Sequence, residues 1–231
     1  MLKEIESIMT ASNTEDLKKQ LSTILGNYDI PHFLYGIRIP QVNKQTKDMI
    51  IDVYPQKWME HYMKSNYIEV DSVLHYSLNN NLPIIWRDDI FTASQQMREE
   101  SKEVGLEFGV SFPIHSVTGE NGIFSIATPV GKAVNNEAFM LTSTLLPYIH
   151  EKIKDLERHN RFYPNIPQLT KRELEILKWA AIGKTAFETS CIVNLAERTV
   201  VYHLTNIMKK FKCSNKGQAV AFALTHKVIQ L

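Results

Sequence analysis

The segment from Leu195 to Phe211 constrains this chain more than any other. Read as a helix, it carries an apolar stripe of Val200, Leu204, Ile207 and Phe211. Its other sides carry positive charge and hydrogen-bond donors: Arg198, Thr199, Tyr202, His203, Asn206, Lys209 and Lys210. Such a face suits the major groove of DNA, where Arg, Thr and Asn reach base edges and Lys meets phosphates. An amphipathic surface helix with a solvated basic side has the same pattern, so the segment alone does not decide.

The residues before this segment predict a helix-turn-helix. Thr170 and Glu173 have the spacing of a capping box at the start of a first helix, which Gly183 would end. A second short helix is expected between Lys184 and the turn at Asn194. Helix, short helix, turn and basic helix is the helix-turn-helix arrangement, and a fourth helix over 216–229 would complete a small all-α domain.

This part of the chain resembles the DNA-binding domain of the LuxR family. The resemblance rests on LTKRELEILKWAAIGKT, ERTVVYHLTNIMKKF and SNKGQAVAFAL. Thr189 and Ser190 stand where members usually carry Ile-Ala, and Ala196 stands where a Ser usually caps the basic helix, a loss of about 1 kcal/mol. We expect base or near-base contacts from Arg198, Thr199, Tyr202 and Asn206, and phosphate contacts from Lys184, Thr185, His203, Lys209 and Lys210.

The distribution of charge agrees with a DNA-binding C-terminal part. Residues 164–231 hold ten Lys and Arg against four Asp and Glu, whereas residues 1–163 hold sixteen against twenty-one. No apolar run approaches the ~20 residues that span a bilayer, and the N-terminus does not have the pattern of a signal peptide. Cys191 and Cys213 lack the spacing of metal or redox motifs. We therefore expect reduced thiols and a cytoplasmic protein with no membrane partner.

Residues 1–162 predict an α+β domain. Helical patterns cover 1–27, 55–64, 70–78, 92–107 and 136–160, and strand-like patterns cover 33–39, 49–53, 83–86, 110–117 and 123–128. Several short strands flanked by helices, with a turn at 118–122, argue for an antiparallel sheet. Two prolines without periodicity place a linker at 163–168, so the predicted domains are 1–162 and 169–231.

Aromatic side chains cluster around one carboxylate in the first domain: Tyr54, Trp58, Tyr62, Asp71 and Trp86. An aromatic core with a surface Asp would explain them. However, Tyr54, Trp58 and Asp71 each carry a polar atom that needs a partner when buried. Three such groups in an apolar cavity would suit a small amphiphile with a polar head and an apolar tail.

These residues resemble the autoinducer-binding domain of the LuxR family, which carries Tyr-x3-Trp-x3-Tyr, then an Asp, a Trp and a Gly, here Gly109. The resemblance implies an α/β/α sandwich whose antiparallel sheet encloses a pocket for an N-acyl-homoserine lactone. It implies that Trp58 donates to the lactone carbonyl, that Asp71 accepts from the ligand amide, and that Tyr54 donates to the amide carbonyl.

The resemblance also places Tyr62 and Trp86 over the head group and the start of the acyl chain, with the Ser125 hydroxyl nearby. Ser72 stands where members usually carry Pro, which loosens the turn after the Asp. Arg38 falls in register with the cavity face of its strand. It either approaches a 3-oxo group through water or exits to solvent, and we favour the second.

Three functions remain open from the sequence. The favoured one is a transcriptional regulator that needs no cofactor and binds an acyl-homoserine lactone as effector. It would pair with a second copy through 136–160 and bind double-stranded promoter DNA. RNA polymerase is a further candidate partner. The second is a LuxR-type solo regulator that answers foreign lactones or another small molecule, or acts without ligand. The third, an enzyme such as a lactone hydrolase fused to a DNA-binding domain, is the weakest because the sequence shows no nucleophile–base pair and no metal triad.

Overall fold

The computed structural model describes residues 1–40, 46–117, 119–159 and 166–230. Residues 163–165 of the predicted linker and residue 118 of the predicted turn lie outside these ranges. The chain divides into two compact units. The first comprises Met1–Ile39, Asp48–His115 and Glu120–Phe162, and the second comprises Pro40–Lys47, Ser116–Gly119 and Tyr163–Leu231.

The first unit contains helices and a five-stranded sheet. Its helices are α1 (Leu2–Thr10), α2 (Thr14–Gly26), α3 (Gln56–Lys64), α4 (Ser72–Asn79), α5 (Gln95–Glu103) and α6 (Asn136–His159), with short 3-10 turns at Tyr67–Glu69 and Asp88–Phe91. Its strands are β1 (His32–Ile39), β2 (Lys47–Asp52), β3 (Ile84–Ile85), β4 (Phe108–His115) and β5 (Asn121–Thr128). The helical and strand-like patterns of the sequence are thus confirmed, although α5 is shorter than the predicted 92–107.

The sheet has the strand order β2-β1-β5-β4-β3, and the β1–β5, β5–β4 and β4–β3 pairs are antiparallel. Residues of β1 alternate in burial, because successive side chains of a strand point to opposite faces. One face packs against α6, where Tyr35 bonds His150 and Phe112 meets Phe139. The other face meets residues of α3, α4 and α5, including Trp58, Val73 and Met97. The result is the predicted α/β/α sandwich.

The described part of the second unit contains four helices: α7 (Lys171–Ala181), α8 (Ala186–Val193), α9 (Glu197–Phe211) and α10 (Lys216–Thr225). Both Thr170 and Thr185 begin capping boxes, with Glu173 and Glu188 as the reciprocal partners. Asn194 adopts φ 51°, a left-handed conformation that Asn tolerates, and it ends α8. The predicted helix-turn-helix is therefore present.

One boundary in this unit differs from the sequence prediction. The last helix ends at Thr225 rather than at Ile229. The amides of Val228 and Ile229 both bond the carbonyl of Ala223, and Lys227 has φ 50°. Ile229 is nevertheless buried in the core of the unit, so its apolar character reflects packing of a turn rather than continuation of the helix. Within the described ranges, no helix is long and apolar enough to cross a membrane.

Candidate functional site

A cavity of about 480 Å³ lies in the first unit, between the sheet and helices α3, α4 and α5. Pockets for small molecules usually measure about 300–1,000 Å³, so its size suits one ligand. All six residues predicted to bind ligand line this cavity: Tyr54, Trp58, Tyr62, Asp71, Trp86 and Ser125. The structure thus brings together residues that are separated by up to seventy-one positions along the chain.

Polar side chains line one end of the cavity, where β4 and β5 pair. The register places Ser111 opposite Ser125, and their hydroxyl oxygens are 2.7 Å apart. Trp86 donates its indole N–H to Ser111 Oγ at 2.8 Å. Ser111 was not among the predicted residues, because only the register of two paired strands reveals that it joins Trp86 to Ser125.

The hydroxyl of Tyr54 is buried at this end of the cavity and has no hydrogen-bond partner among the described residues. Burial, together with the nearby Asp71 carboxylate, raises the pKa of Tyr54 above its usual value. The Ser125 hydroxyl is close enough to oppose that rise slightly, yet it forms no hydrogen bond of normal geometry with Tyr54. Tyr54 therefore keeps its proton and presents an unused donor.

Asp71 faces the same cavity and is held by three hydrogen bonds. Its Oδ1 accepts from the amides of Val73 and Leu74 and so caps α4, while its Oδ2 accepts from the Tyr62 hydroxyl at 2.9 Å. Burial raises the pKa of the Asp71 carboxyl, although these bonds oppose the rise. Ser72, the departure from the family, occupies the first helical position after this cap, and its hydroxyl lies 3.2 Å from that of Ser94.

Trp58 is 5% exposed and lines the cavity, and its indole N–H makes no hydrogen bond to another residue that the structure describes. Its ring packs against Tyr62 and Tyr67, with centroids 6.1 and 6.2 Å away. Aromatic neighbours at such distances fix the plane of the indole ring. Trp58 is thus a second donor without a described partner on the cavity wall.

Gly109 determines where the Trp86 ring lies. A Cβ atom at Gly109 would lie 2.5 Å from that ring, which is closer than carbon atoms that are not bonded to each other approach in proteins. The ring therefore packs directly on the backbone of β4. Any side chain at this position would push Trp86 toward the cavity.

Away from the polar end, the cavity wall is mostly apolar. It includes Met49, Met59, Met63 and Met97, whose flexible side chains adapt to ligands of different shape. Arg38 and Asp48 also line it, and the Arg38 guanidinium makes two hydrogen bonds to the Asp48 carboxylate, of 2.8 and 2.9 Å. Arg38 thus lies at the rim of the cavity, where its side chain is half exposed and bonded to a carboxylate. From this position it can face solvent or a ligand in the cavity.

The basic helix α9 in the second unit has the two predicted faces. Val200, Ile207 and Phe211 are buried at 0–1% exposure, and Leu204 packs beside them. Arg198, Lys209 and Tyr202 are exposed, whereas Thr199, His203 and Asn206 are half-buried. An outward face with these side chains can meet both base edges and phosphates.

Two of the predicted phosphate contacts already have carboxylate partners. Lys210 Nζ bonds Glu173 Oε2 at 2.7 Å, and Lys184 Nζ lies 3.2 Å from Glu188 Oε1. Glu173 is 4% exposed, and although burial opposes it, the bonds from Lys210 and Thr170 lower the pKa of its carboxyl. The Lys210–Glu173 pair joins α9 to the start of α7, which sequence spacing did not indicate.

The remaining polar candidates carry no further site. Neither Cys191 nor Cys213 forms a disulfide, and the first is exposed while the second is half-buried. Among the described residues, no group of three His, Cys, Asp or Glu side chains is arranged to hold a metal ion. His61 bonds Glu100 at 2.7 Å.

Two family models match the chain. The model of the autoinducer binding domain matches residues 13–153, and the model of bacterial regulatory proteins of the luxR family matches residues 167–223. The transcriptional activator protein VanR of Vibrio anguillarum is 31% identical over 97% of this chain and 94% of its own length. The transcriptional activator protein LuxR of Aliivibrio fischeri is 32% identical over 96% of this chain and 91% of its own length.

Solved structures show the same fold. SdiA of Escherichia coli superposes with a TM-score of 0.79 at 23% identity, covering 100% of this chain and 98% of SdiA. A structure of SdiA in complex with octanoyl-rac-glycerol gives a TM-score of 0.78 at 24% identity, covering 97% of this chain and 93% of that one. The fold described above is therefore shared with these two structures.

Proposed function

This chain belongs to the LuxR family of bacterial regulators, and we propose that it binds an N-acyl-homoserine lactone in its first unit and promoter DNA, as a homodimer, through its second. It combines an autoinducer-binding domain with a DNA-binding helix-turn-helix domain, and relatives such as the quorum-sensing regulator RhlR of Pseudomonas aeruginosa are named for the same role. Those relatives are transcriptional regulators rather than enzymes. We propose no catalytic residue and no cofactor.

The observation that carries this proposal is the set of unused donors at one end of an apolar cavity. The Tyr54 hydroxyl is buried without a partner among the described residues. The Trp58 indole N–H makes no hydrogen bond to a described residue, and both side chains line the cavity that Asp71 lines. A buried donor without a partner costs about 1–3 kcal/mol, so the site favours a ligand that supplies acceptors. An acyl-homoserine lactone supplies two carbonyl acceptors and one amide donor, which matches two donors and one carboxylate.

The proposed contacts follow from that match. Trp58 donates to the lactone carbonyl, Tyr54 donates to the amide carbonyl, and the Asp71 carboxylate accepts from the amide N–H. Tyr62 bonds Asp71 and thereby orients its free lone pair toward the ligand. Trp86 and Ser125 complete the wall around the head group.

The acyl chain supplies the apolar part of the binding energy. Each buried methylene contributes about 0.8 kcal/mol, and the chain fills space that the side chains of the first unit leave open. A ligand that binds only the folded protein stabilises it by RT ln(1 + [L]/Kd), which is about 2.7 kcal/mol at 100 times Kd. Ligand therefore favours the ordered first unit.

We propose residues 1–162 as the ligand-binding and dimerisation domain, 163–168 as the linker and 169–231 as the DNA-binding domain. Met140 and Tyr148 of α6 are 60% and 40% exposed, and they lie two turns apart on one face of that helix. An exposed apolar face of this kind suits contact with a second copy. A dimer would present two α9 helices to half-sites about one DNA turn apart.

In the second unit, Arg198, Thr199, Tyr202 and Asn206 are proposed to contact bases, and Lys184, Thr185, His203 and Lys209 to contact phosphates. Lys210 is proposed as a further phosphate contact, and its bond to the buried Glu173 also holds α9 against α7. RNA polymerase is the further partner that an activator requires. A DNA-binding regulator of bacteria acts in the cytoplasm, where the promoter is.

Mass spectrometry of an organic extract tests the ligand. The protein is expressed together with a mixture of acyl-homoserine lactones, purified and extracted, and Trp58→Phe serves as the matched variant because it removes one donor but keeps an aromatic ring. We expect a stoichiometric, intact lactone from the wild type and much less from the variant. A lactone whose mass has increased by one water would indicate hydrolysis and support the enzyme hypothesis.

A solo regulator that answers a small molecule other than a lactone, or that acts without ligand, predicts a different extract. A wild-type protein that is folded, binds DNA and carries no lactone would overturn the lactone assignment. A different small molecule in stoichiometric amount would retain the cavity as a ligand site but change its ligand class.

A further inference from the structure

Strand β1 runs along the cavity wall from the polar end of the cavity to its rim. Leu34, Gly36 and Arg38 face the cavity, and the register pairs them with Ser125, Ile123 and Asn121 of β5. Four residues along a strand correspond to about 13 Å, so Arg38 lies about that far from the Leu34–Ser125 pair. An extended tail that starts beside Ser125 and follows β1 therefore reaches Arg38.

Between the two ends, the cavity wall formed by Leu34, Gly36 and Ile123 is apolar, and we call it the floor of the cavity. Gly36 has no side chain, and a Cβ atom there would already be 3.3 Å from Leu34 Cδ2 and 3.6 Å from Ile123 Cγ2. The space above Gly36 is thus left to a ligand. Each methylene that lies on this floor is transferred from water to an apolar surface.

The floor ends at an ion pair. Arg38 on β1 and Asp48 on the neighbouring edge strand β2 are joined by two hydrogen bonds of 2.8 and 2.9 Å. Their side chains are 47% and 45% exposed, so the pair faces the cavity on one side and solvent on the other. A paired guanidinium and carboxylate hold their geometry better than a single lysine would, because the contact is bidentate.

We propose that the Arg38–Asp48 pair sets the upper limit of acyl length that this protein recognises. The proposal rests on the lactone function above and adds its specificity. A methylene that covers the pair removes water from two charges, which costs free energy, whereas a methylene on the floor gains it. Affinity therefore rises with each added carbon until the tail reaches the pair, and then stops rising.

The test is a binding series with unsubstituted homoserine lactones from butanoyl to tetradecanoyl, measured on the full-length protein by displacement of a bound ligand. For the wild type we expect about 4-fold tighter binding per added methylene, equivalent to about 0.8 kcal/mol, followed by a plateau or a decline. In Arg38→Leu/Asp48→Leu, the plateau should move to longer chains, and the longest ligands should gain on the order of tenfold, equivalent to about two further methylenes.

Two further variants keep the test decisive. Arg38→Gln/Asp48→Asn removes both charges but keeps two polar side chains, of which Asn matches Asp in size and Gln is shorter than Arg. It should move the plateau in the same direction even if the leucine variant folds poorly. Lys132→Ala/Asp29→Asn removes an exposed ion pair elsewhere in the first unit, 3.5 Å between its charged atoms, and should leave the series unchanged.

The failures of the two proposals differ. If the wild type binds the series but both pair variants plateau at the same length as the wild type, the length limit is set elsewhere and this inference is wrong. If no lactone of any length binds the wild type, the lactone function itself fails and the inference fails with it.

Discussion

The two units of this protein differ in how completely their interiors are filled. In the second unit, the buried Glu173 carboxylate is bonded by Thr170 and Lys210, and the apolar side chains of α7, α9 and α10 form one packed cluster. In the first unit, a cavity of about 480 Å³ remains, and the buried Tyr54 hydroxyl has no described partner. A ligand can therefore complete the first unit, whereas the described residues of the second unit include no buried side-chain polar atom that lacks a partner.

This difference limits how ligand can control DNA binding. The residues that line the cavity all belong to the first unit, so we propose that ligand acts on that unit rather than on the packing of α9. In this proposal, control comes through what the ordered first unit does, such as pairing with a second copy. We call the second unit closed, because its interior is packed, and the first unit open, because it contains a cavity. Each variant below changes one of the two units.

Phe211→Ala should have the largest effect, because it opens the closed unit. Phe211 is 1% exposed, and its ring centroid lies 4.4 Å from that of Phe222. Removing a buried Phe typically costs about 3–5 kcal/mol. We expect DNA binding to be lost and lactone capture to be kept, measured by mobility shift and by extraction from the same preparation.

Phe187→Ala is the matched control for this change, since Phe187 belongs to the same unit but is 63% exposed. Its cost should stay within about 0.5 kcal/mol. Chemical denaturation measures the stability of both variants. Equal losses of stability would show that Phe211 is not part of a tightly packed core in the second unit.

Asp71→Asn should have the next largest effect, because it changes the open unit without unfolding it. Asn retains an oxygen that can cap α4, as Asp71 Oδ1 does, but it places an N–H₂ group where Oδ2 faces Tyr62 and the ligand. Losing a hydrogen bond to a charged group costs about 1.5–3 kcal/mol, so the response to lactone should weaken about 10- to 100-fold. A reporter dose–response curve measures this.

Asp89→Asn provides the comparison, because Asp89 is 66% exposed and pairs with Arg87 on the surface. It should leave the dose–response curve in place. If Asp71→Asn also leaves the curve unchanged while α4 stays folded, the head group binds elsewhere in the cavity.

The same contrast explains what the sequence could predict. The capping box at Thr170 was predictable because all its atoms come from four consecutive residues. The capping box at Thr185 has the same spacing, although it was not predicted. The family pattern brought in Tyr54, Trp58 and Asp71, which indeed line one cavity. Local signals and a known pattern therefore sufficed for most of the fold and for the candidate ligand residues.

Contacts that depend on strand register or on distant residues were not predictable. The Ser111–Ser125 contact requires that β4 and β5 pair in one particular register, and the Arg38–Asp48 pair requires that β2 lie beside β1. The bond between Lys210 and Glu173 joins residues thirty-seven positions apart. Each of these is set by tertiary packing, for which a single sequence has no periodic signal.

Ala196→Ser should change the stability of the second unit by a smaller amount than Phe211→Ala. Ala196 precedes α9 and offers no side-chain cap, unlike Thr170 and Thr185 in the same unit. A serine there can accept from an amide of the first turn and should stabilise the second unit by about 1 kcal/mol. Thr170→Ala should destabilise it by a similar amount, and denaturation curves of the full chain should show shifts of opposite sign. No shift in Ala196→Ser would mean that the first turn of α9 has another partner for its amides.

The smallest effect we predict is a pH dependence confined to the first unit. His150 of α6 is 7% exposed, accepts or donates at Nδ1 with the Tyr35 hydroxyl at 2.8 Å, and has no described partner for Nε2. Burial lowers the pKa of His150 below its ordinary value of 6.5, and the charge of Lys154 acts in the same direction, against Glu120 and Glu151. The folded protein therefore holds this imidazole neutral.

The sign of the effect follows from proton linkage. Above the ordinary pKa of about 6.5, neither the folded nor the unfolded state protonates His150, and its contribution to stability is fully present. As the pH falls below that value, the unfolded state binds the proton first, so the free energy of unfolding decreases until the pH reaches the lowered pKa of the folded state. His150→Gln, which cannot titrate, should have a flatter profile than the wild type in urea unfolding between pH about 7.5 and about 5.5. Parallel profiles for the two proteins would show that the acid sensitivity of the first unit arises from its carboxylates instead.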